Sequence, residues 1–376
     1  MKMPKKSLLR NDGVQAFLSS LLCILGGLLV GFLVLLAIEP SGAWNSLIRV
    51  IQNFLVYPEK LQMKYLGQTL VRTAPLLMCS LSVLFAYKVG MFNIGAAGQF
   101  VAGACASLYC ALQFQLPWWL CMLAGMAAGA LLGCISGLLK TYCNVNVVIS
   151  GIMLNWISLY LTNLILTLVK NPTSPYTKSI RGINPDGLIP SLGLNELFNG
   201  EKSVTIAIPL ALLMAILVWV VLNKTKFGYE LKATGLNYNA AKYSGMRGNR
   251  NIILSMLISG ALAGMGASLL YLTGIEEWET TISSVPAMGF NGIAVAFLGG
   301  LSPVGSVFSA FFIQHITSGG ANVDLNYYCS QISSLIASLI IFLCAFVAFF
   351  KLCIQNRIDK HDAKKAATSS EGGEAQ

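Results

Sequence analysis

The sequence predicts an all-α polytopic membrane protein with about eight to ten transmembrane helices. Of its 376 residues, 55% are hydrophobic and only 11% are charged, whereas a soluble domain carries about 25% charged residues. Long apolar runs recur along the chain, and Lys and Arg cluster at their ends. The positive-inside rule therefore explains the net charge of +10 more simply than nucleic-acid binding does. It also predicts that both termini are cytoplasmic.

The N-terminal region is predicted to begin inside the cell. Residues 1–16 form a basic cytoplasmic segment, and the apolar run 17–38 that follows is long enough to span a bilayer. No small-residue cleavage site follows this run, so an uncleaved first helix is expected. Residues 40–72 are mixed and polar, which predicts an outer loop, and residues 73–87 are predicted as the second span.

Eight further apolar segments complete a predicted transmembrane domain over residues 17–350. They lie at residues 97–112, 117–139, 145–169, 204–222, 252–273, 286–301, 304–317 and 331–350. Eight full spans plus a broken pair would give the same parity, so both counts stay open. A polar tail at 351–376 is predicted to be cytoplasmic and disordered. In the 117–139 segment, a glycine at every fourth position from Gly125 to Gly137 predicts close helix packing.

The stretch 90–100 mixes glycines with amides in apolar surroundings. Gly90, Gly95 and Gly98 interrupt it, and it also carries Asn93 and Gln99. One interpretation is a broken or tightly packed helix that lines a polar cavity, because backbone irregularity at membrane depth needs a polar neighbour. The other interpretation is a tight turn between two spans.

A basic polar island at about residues 223–251 separates two long apolar runs. Asn237 is a plausible N-cap for a short helix over 238–244, and Gly245 stands where a glycine would end that helix. Residues 230–234 are predicted to form one helical turn. The island is either a cytoplasmic docking element or an ordinary ordered loop.

The predicted span cores contain no Asp, Glu, Lys or Arg. Proton-coupled carriers usually need carboxylates or histidines within the membrane as relays. A lining of Asn, Gln, Ser, Thr and Tyr suits a neutral polar solute instead, and the driving energy should come from elsewhere. No GxxxxGK[ST] phosphate loop is present either. These features favour a permease subunit on a separate ATPase; a secondary carrier and a non-transporting scaffold remain alternatives.

The ten cysteines lie in or beside apolar runs, and no CxxC pair occurs. Buried apolar packing explains them, and no metal site is predicted. The sequence also lacks an HExxH motif, a GxSxG motif and a convincing pair of catalytic carboxylates. The chain is therefore predicted not to be an enzyme.

Four blocks of sequence resemble one known family. They are GMFNIGAAGQ at 90–99, NVNVVISGIMLN at 144–155, GYELKATGLN at 228–237 with AAKYSG at 240–245, and GFNGIAVAFLG at 289–299. Together they resemble the permeases of bacterial ABC importers for nucleosides, within a larger group that serves ribose, other simple sugars and branched-chain amino acids. The resemblance covers about residues 65–350.

The resemblance implies an inner-membrane subunit that imports nucleosides, with ribose, another simple sugar or a branched-chain amino acid as the alternative cargo. It implies three protein partners: an ATP-binding cassette subunit, a second and often different permease subunit, and an extracytoplasmic solute-binding lipoprotein. ATP and Mg would be bound by the ATPase, and this chain would bind no cofactor. The remaining contacts would be with membrane lipid, and no nucleic acid is expected.

The resemblance also implies two sets of functional residues. The expected solute pathway comprises Asn93, Gln99, Asn155, Trp156 and Asn291, because buried amides can hydrogen-bond ribose and base edges and Trp156 can stack on a base. Each of these residues also has a packing interpretation. The expected ATPase contacts are Glu230, Gly235, Asn237, Ala240, Ala241 and Gly245.

Three positions depart from the family pattern. Relatives usually carry Glu where Ala97 and Val147 stand, and often Asp where Asn291 stands. All three positions are neutral here. If the acids of relatives contact solute or fix helix ends, substrate choice or coupling differs in this chain.

Overall fold

The computed structural model describes residues 12–324, 326–329 and, between 335 and 358, all except 337, 340, 341, 344, 345 and 348. Over these residues the chain is predominantly helical. Its only strand-like pairings there are two isolated bridges, which join Lys170 to Thr177 and Tyr176 to Glu279. The predicted all-α architecture is therefore confirmed.

Within residues 12–324 there are fourteen α-helices. They are α1 (Asp12–Ile38), α2 (Pro40–Gln52), α3 (Glu59–Tyr87), α4 (Ala96–Leu112), α5 (Trp118–Cys143), α6 (Val147–Leu166), α7 (Ile180–Ile183), α8 (Leu194–Leu197), α9 (Ala207–Lys224), α10 (Lys226–Leu236), α11 (Tyr238–Tyr243), α12 (Gly248–Tyr271), α13 (Ala287–Leu298) and α14 (Pro303–Gly319). Six are long and apolar enough to cross a membrane, namely α1, α3, α5, α6, α9 and α12. The apolar helices α4 and α13 are shorter. The predicted final span at 331–350 lies partly outside the described residues.

The prediction that residues 40–72 form a loop is wrong, because α2 and α3 cover most of them. Their location outside the cell stays a prediction. The carboxylate of Glu39 accepts a hydrogen bond from the Ser41 backbone N–H, and Pro40 occupies the first turn of α2. The polar residues at the start of α3 pair with other segments instead of marking a loop. Lys64 lies 3.9 Å from Glu201 in an ion pair.

The predicted disorder of the tail fails over its first residues. Residues 351–358 are helical. The rest of the tail, 359–376, and residues 1–11 of the predicted N-terminal segment lie outside the described residues. Residues 12–16 already belong to α1.

The centre of the bundle is built from α3 and α12, which are the most deeply buried of the six long helices. The glycine series of α5 lies directly against α12. A Cβ atom at Gly129 would lie 2.3 Å from the carbonyl oxygen of Gly260, and one at Gly133 would lie 2.1 Å from that of Met256. The predicted close packing is confirmed, and this contact is called the α5–α12 seam below.

Two connecting segments, 170–205 and 274–282, cover one end of the bundle and are called the cap. The Thr177 N–H donates to the Trp278 carbonyl at 2.8 Å. The Asn184 side chain donates to the carbonyls of Ala111 and Leu116 at 3.0 and 2.9 Å. Since α12 runs from the 223–251 island to the cap, the island lies at the opposite end of the bundle.

Candidate functional site

The stretch 88–95 links α3 to α4 as a turn with an irregular backbone. Gly90 has a positive φ of 80°, and the Met91 N–H donates to the carbonyl of Ala86. Helix α4 then begins at Ala96 as one uninterrupted helix. Of the two interpretations of residues 90–100, the structure shows the turn between spans.

Asn93 and Gln99 meet inside the bundle at this turn. The Asn93 side-chain nitrogen donates to the Gln99 side-chain oxygen at 2.9 Å and to the Ser259 hydroxyl at 2.7 Å. The Ser259 hydroxyl in turn donates to the carbonyl of Ser82 at 2.8 Å. All four residues are buried. They form a cluster that ties the α3–α4 turn to α12.

Asn155 makes a second contact of the same kind, between α6 and α4. Its side-chain oxygen accepts a hydrogen bond from the Gly98 N–H at 2.7 Å, and its side-chain nitrogen donates to the Ile94 carbonyl at 3.2 Å. Close backbone approach makes this possible, since a Cβ at Gly151 would lie 2.8 Å from the Gly95 nitrogen. The amides of Asn93, Gln99 and Asn155 thus have structural partners, and their role in solute passage stays a prediction.

The other two predicted pathway residues lie apart from these amides. Trp156 is 43% exposed on the outer side of α6, and its ring stacks on Tyr160 with centroids 6.0 Å apart. Asn291 is half-buried on α13, a helix whose Gly292 lies against Cys79 of α3. The two buried serines, Ser82 and Ser259, were missed because serine is common in apolar spans and carries no spacing signal.

The neutral residues Ala97 and Val147 both lie in apolar surroundings. A Cβ at Gly289 would lie 2.4 Å from the Cα of Ala97, so α13 crosses α4 at that position. Val147 is buried in a small cluster with Ala86 and Met256. A carboxylate at either position would be removed from water, which is costly without a partner. The neutral side chains of Ala97 and Val147 are therefore consistent with the packing of this chain.

The island forms two short helices, α10 and α11, and residues 225–247 are called the docking segment below. The Thr225 hydroxyl caps α10 by accepting from the Gly228 N–H at 3.1 Å. The Asn237 side chain caps α11 by accepting from the Ala240 N–H at 3.0 Å, and Gly245 follows with a positive φ of 81°. The predicted N-cap and terminating glycine are confirmed. Helix α10 is longer than the single turn predicted.

Among the contacts between the docking segment and the bundle, three reach the α3–α4 turn and α12. Gly235 lies on the α3–α4 turn, where an added Cβ would be 2.4 Å from the carbonyl of Lys88. The Asn251 side chain of α12 donates to the Thr234 hydroxyl at 3.1 Å. Glu230 forms an ion pair with Arg250 at 3.5 Å. Movement of the segment would therefore reach both α12 and the turn that carries Asn93.

The outer face of the docking segment is apolar at three points. Leu236 is 89% exposed and Tyr243 is 94% exposed, and Tyr229 is also exposed. Among the predicted docking residues, Ala240 shares this exposed surface, whereas Ala241 is buried and Glu230 is ion-paired. Sequence reasoning missed the three exposed apolar residues, although large apolar side chains within a polar island are themselves a signal of a binding surface.

Positive charge accumulates beneath this surface. Burial, together with the nearby Lys232 ammonium, lowers the pKa of Lys88. A partner with a carboxylate at this point would relieve the repulsion between the two lysines. Nowhere in the described ranges do His, Cys, Asp and Glu side chains gather into a potential metal site.

A bundle with six helices that are long and apolar enough to cross a membrane, and with an exposed polar segment at one end, has the architecture of a polytopic membrane protein. Residues 65–347 match the family described as branched-chain amino acid transport system / permease component. The chain belongs to this family. It is therefore the permease component of a transport system and a multi-pass protein of the inner membrane.

Several characterised proteins are similar to this chain. The guanosine ABC transporter permease protein NupP of Bacillus subtilis is 33% identical, over 81% of this chain and 86% of its own length. The nucleoside ABC transporter permease protein NupB of Lactococcus lactis is 31% identical over 97% and 100%. The glucose ABC transporter permease protein TsgB13 of Haloferax volcanii is 28% identical over 89% of both chains. No solved structure matches the chain.

Proposed function

We propose that the chain is the permease subunit of an ATP-binding-cassette importer that carries nucleosides across the inner membrane. The observation that carries the proposal is similarity along nearly the whole chain to a nucleoside permease, supported by the similarity to a guanosine permease. The similarity to a glucose permease keeps a simple sugar as the second cargo. Both cargoes are neutral and rich in hydroxyl groups, which suits a membrane interior whose polar groups are uncharged.

The ATPase subunit docks on the docking segment in this proposal. Leu236, Tyr243 and Tyr229 provide an apolar contact surrounded by lysines, and large apolar residues at the centre of a contact often contribute most of the binding energy. ATP and Mg belong to that partner. Its movement reaches the α3–α4 turn through Gly235 and reaches α12 through the bond between Thr234 and Asn251.

The remaining partners follow from the same assembly. A second permease subunit pairs with this chain to enclose the pathway, and an extracytoplasmic solute-binding lipoprotein delivers solute at the cap. The docking segment and both termini face the cytoplasm, in accord with the positive-inside rule. The pathway residues are Asn93, Gln99, Asn155, Trp156 and Asn291, whose amides and ring would change partners as the bundle opens.

Uptake of radiolabelled nucleosides tests the cargo. Uptake should be lost in a strain that lacks the chain and restored when the chain is returned. Excess unlabelled nucleosides should compete, whereas ribose, glucose and leucine should not. If nucleoside uptake is intact and glucose or ribose uptake is defective, the cargo is a sugar and the chain is still a transporter subunit. Absence of any uptake defect would refute the transport role in that strain.

Two tyrosines at the same end of the bundle test the docking surface. Tyr243→Ser removes a ring from the docking segment, and Tyr142→Ser removes a 75% exposed ring from the end of α5. Only Tyr243→Ser should weaken co-purification of the ATPase and lower uptake, with both proteins present at normal levels in the membrane. Equal loss in the two variants, or in neither, would place the ATPase contact elsewhere.

A further inference from the structure

A groove lies between α9 and α14 on the surface of the bundle. It has a volume of about 500 Å³, and all its lining residues are apolar: Leu212, Ala215, Ile216, Trp219, Val304, Val307 and Phe308. Phe308 and Ile216 are largely exposed at its edges, whereas Ala215 is buried at its floor. Helix α9 is long and apolar enough to cross a membrane, and the α14 residues that face the groove are apolar as well. The material available to fill the groove is therefore either an acyl chain or another helix.

A positive charge stands at one end of this groove. Helix α9 runs from the cap to the docking segment and ends at Lys224. The Lys224 ammonium lies 5.7 Å from the centroid of the Trp219 ring, which lines the groove. Among residues 12–324, no carboxylate forms an ion pair with Lys224. A lysine and a tryptophan at the end of a membrane helix are the residue types that meet the polar headgroup region.

The walls of the groove differ from the α5–α12 seam. Along the α5–α12 seam, glycines bring two backbones together until no side chain fits between them, as membrane helices commonly do. The groove instead presents branched and aromatic side chains, and Ala215 is the single small residue among those that line it. Flexible acyl chains fill such an uneven apolar surface more easily than a rigid helix does.

We propose that this groove is a binding site for a phospholipid with an anionic headgroup. One acyl chain lies between α9 and α14, against Ala215 and Phe308, and the phosphate lies at Lys224. Basic residues just outside apolar spans attract anionic lipid in this way. The site depends on the membrane location of the chain and is independent of which solute is carried.

The lipid would act on the base of the docking segment. Helix α10 follows α9 after the single residue Thr225, and Gly228 packs against α9, where an added Cβ would lie 2.2 Å from the carbonyl of Val221. A lipid that spans α9 and α14 and binds Lys224 therefore fixes the point from which the docking segment emerges.

Fluorescence quenching by brominated lipid tests the site. The full-length chain in detergent is titrated with phosphatidylglycerol or phosphatidylcholine, each carrying brominated acyl chains. The Trp219 signal is obtained as the difference between the wild-type chain and Trp219→Phe. Phosphatidylglycerol should quench it at lower concentration than phosphatidylcholine. Lys224→Gln should weaken the phosphatidylglycerol effect about fivefold, since one lysine near an anionic surface contributes about that factor.

Matched variants separate the headgroup from the acyl chain. Ala215→Trp fills the floor of the groove and should reduce retention of phosphatidylglycerol in native mass spectrometry. Leu213→Trp, on a part of α9 outside the groove, should not. Lys242→Gln, an exposed lysine of α11, should keep the preference for phosphatidylglycerol.

Three results would overturn the proposal. Equal quenching by the two lipids would identify the groove as part of the unselective lipid belt. A preference that survives in Lys224→Gln would place the headgroup elsewhere. A photo-crosslinker at Phe308 that captures a second permease subunit in membranes, and no lipid, would identify the occupant as a helix.

Discussion

The α5–α12 seam and the docking segment both depend on glycine, but for opposite purposes. In the seam, Gly129 and Gly260 have helical backbones, and the absence of side chains lets two helices touch along their carbonyls. In the docking segment, Gly245 has open space around it and is needed for its positive φ. The structure of the seam depends on the absence of side chains between two helices, whereas that of the docking segment depends on the residues that begin and end its short helices.

The difference shows how one chain combines a tightly packed centre with an exposed apolar surface. At Gly129, Gly133 and Gly260 of the seam, an added Cβ would lie 2.1–2.3 Å from a backbone carbonyl oxygen, so no larger residue fits there unless the helices separate. The docking segment is held at Gly235, at Thr234 and by the Glu230–Arg250 ion pair, while Leu236 and Tyr243 stay exposed. Substitutions should therefore damage the seam through stability and the docking segment through partner binding.

A valine at Gly129 is the strongest way to break the seam. Its Cβ would lie 2.3 Å from the carbonyl oxygen of Gly260, so the helices must separate. Overpacking of this kind costs about 3 kcal/mol. Thermal unfolding in detergent should show a much lower melting temperature for Gly129→Val and an almost unchanged one for Ala127→Val, on the exposed side of α5. Similar melting temperatures for both variants would show that the seam tolerates separation.

Replacement of Asn155 by alanine tests whether this residue acts in helix packing or in contact with solute. Asn155→Ala leaves the buried Gly98 N–H and the Ile94 carbonyl without their partner, which should cost about 2 kcal/mol. The melting temperature should fall, and uptake of all nucleosides should fall together. The exposed Asn239→Ala is the control and should not alter melting. An unchanged melting temperature with a raised KM would instead identify Asn155 as a solute contact.

Gly245→Ala tests the end of α11. A non-glycine residue with the positive φ of 81° is disfavoured by about 1 kcal/mol, so α11 should fray and co-purification of the ATPase should weaken. Gly182→Ala is a matched control, because no atom lies within 4 Å of either added Cβ and only Gly245 has positive φ. Equal behaviour of the two variants would show that the end of α11 does not set the docking geometry.

The smallest expected effect concerns the cap. Burial would raise the pKa of Glu201, but hydrogen bonds from Ser203 and Gln68 and the charge of Lys64 outweigh it and hold the pKa below the ordinary value of 4.5. A depressed carboxylate pKa contributes stability that is complete above pH 4.5 and is lost as the pH falls further.

This contribution should be at most about 1 kcal/mol. Melting curves between pH 6 and pH 3 should fall less steeply for Glu201→Gln than for the wild-type chain. Glu196→Gln, an exposed glutamate of the same cap, should follow the wild type. A Glu201→Gln curve that matches the wild type would show that Glu201 does not contribute to the pH dependence of stability.

Features that depend on neighbouring residues in the sequence were predictable. The Asn237 cap, the Gly245 terminus and the glycine series of α5 each combine a local backbone requirement with a known spacing. The helical nature of residues 40–72 was missed because their polar side chains suggested a loop. In the structure Ser41 bonds to Glu39 at the start of α2, and Lys64 of α3 pairs with Glu201.

Pairings between distant segments could not be read from the sequence. Asn93 was selected as a polar residue in an apolar run, but only the fold brings Ser259 of α12 within 2.7 Å of it. Asn155 was likewise selected without any sign that Gly98 would be its partner. Trp156, the next residue in the chain, lies on the exposed side of α6, because adjacent residues on a helix lie about 100° apart.

The length of α13 has a consequence for how the protein is made. Its 12 residues extend about 18 Å, whereas the hydrocarbon layer is about 30 Å thick. It packs through Gly289 on α4 and through Gly292 on α3. A newly synthesised α13 therefore has no stable place in the bilayer on its own and must assemble onto helices that the ribosome delivered some 200 residues earlier. Chain insertion at this point is a folding step as much as a membrane-partitioning step.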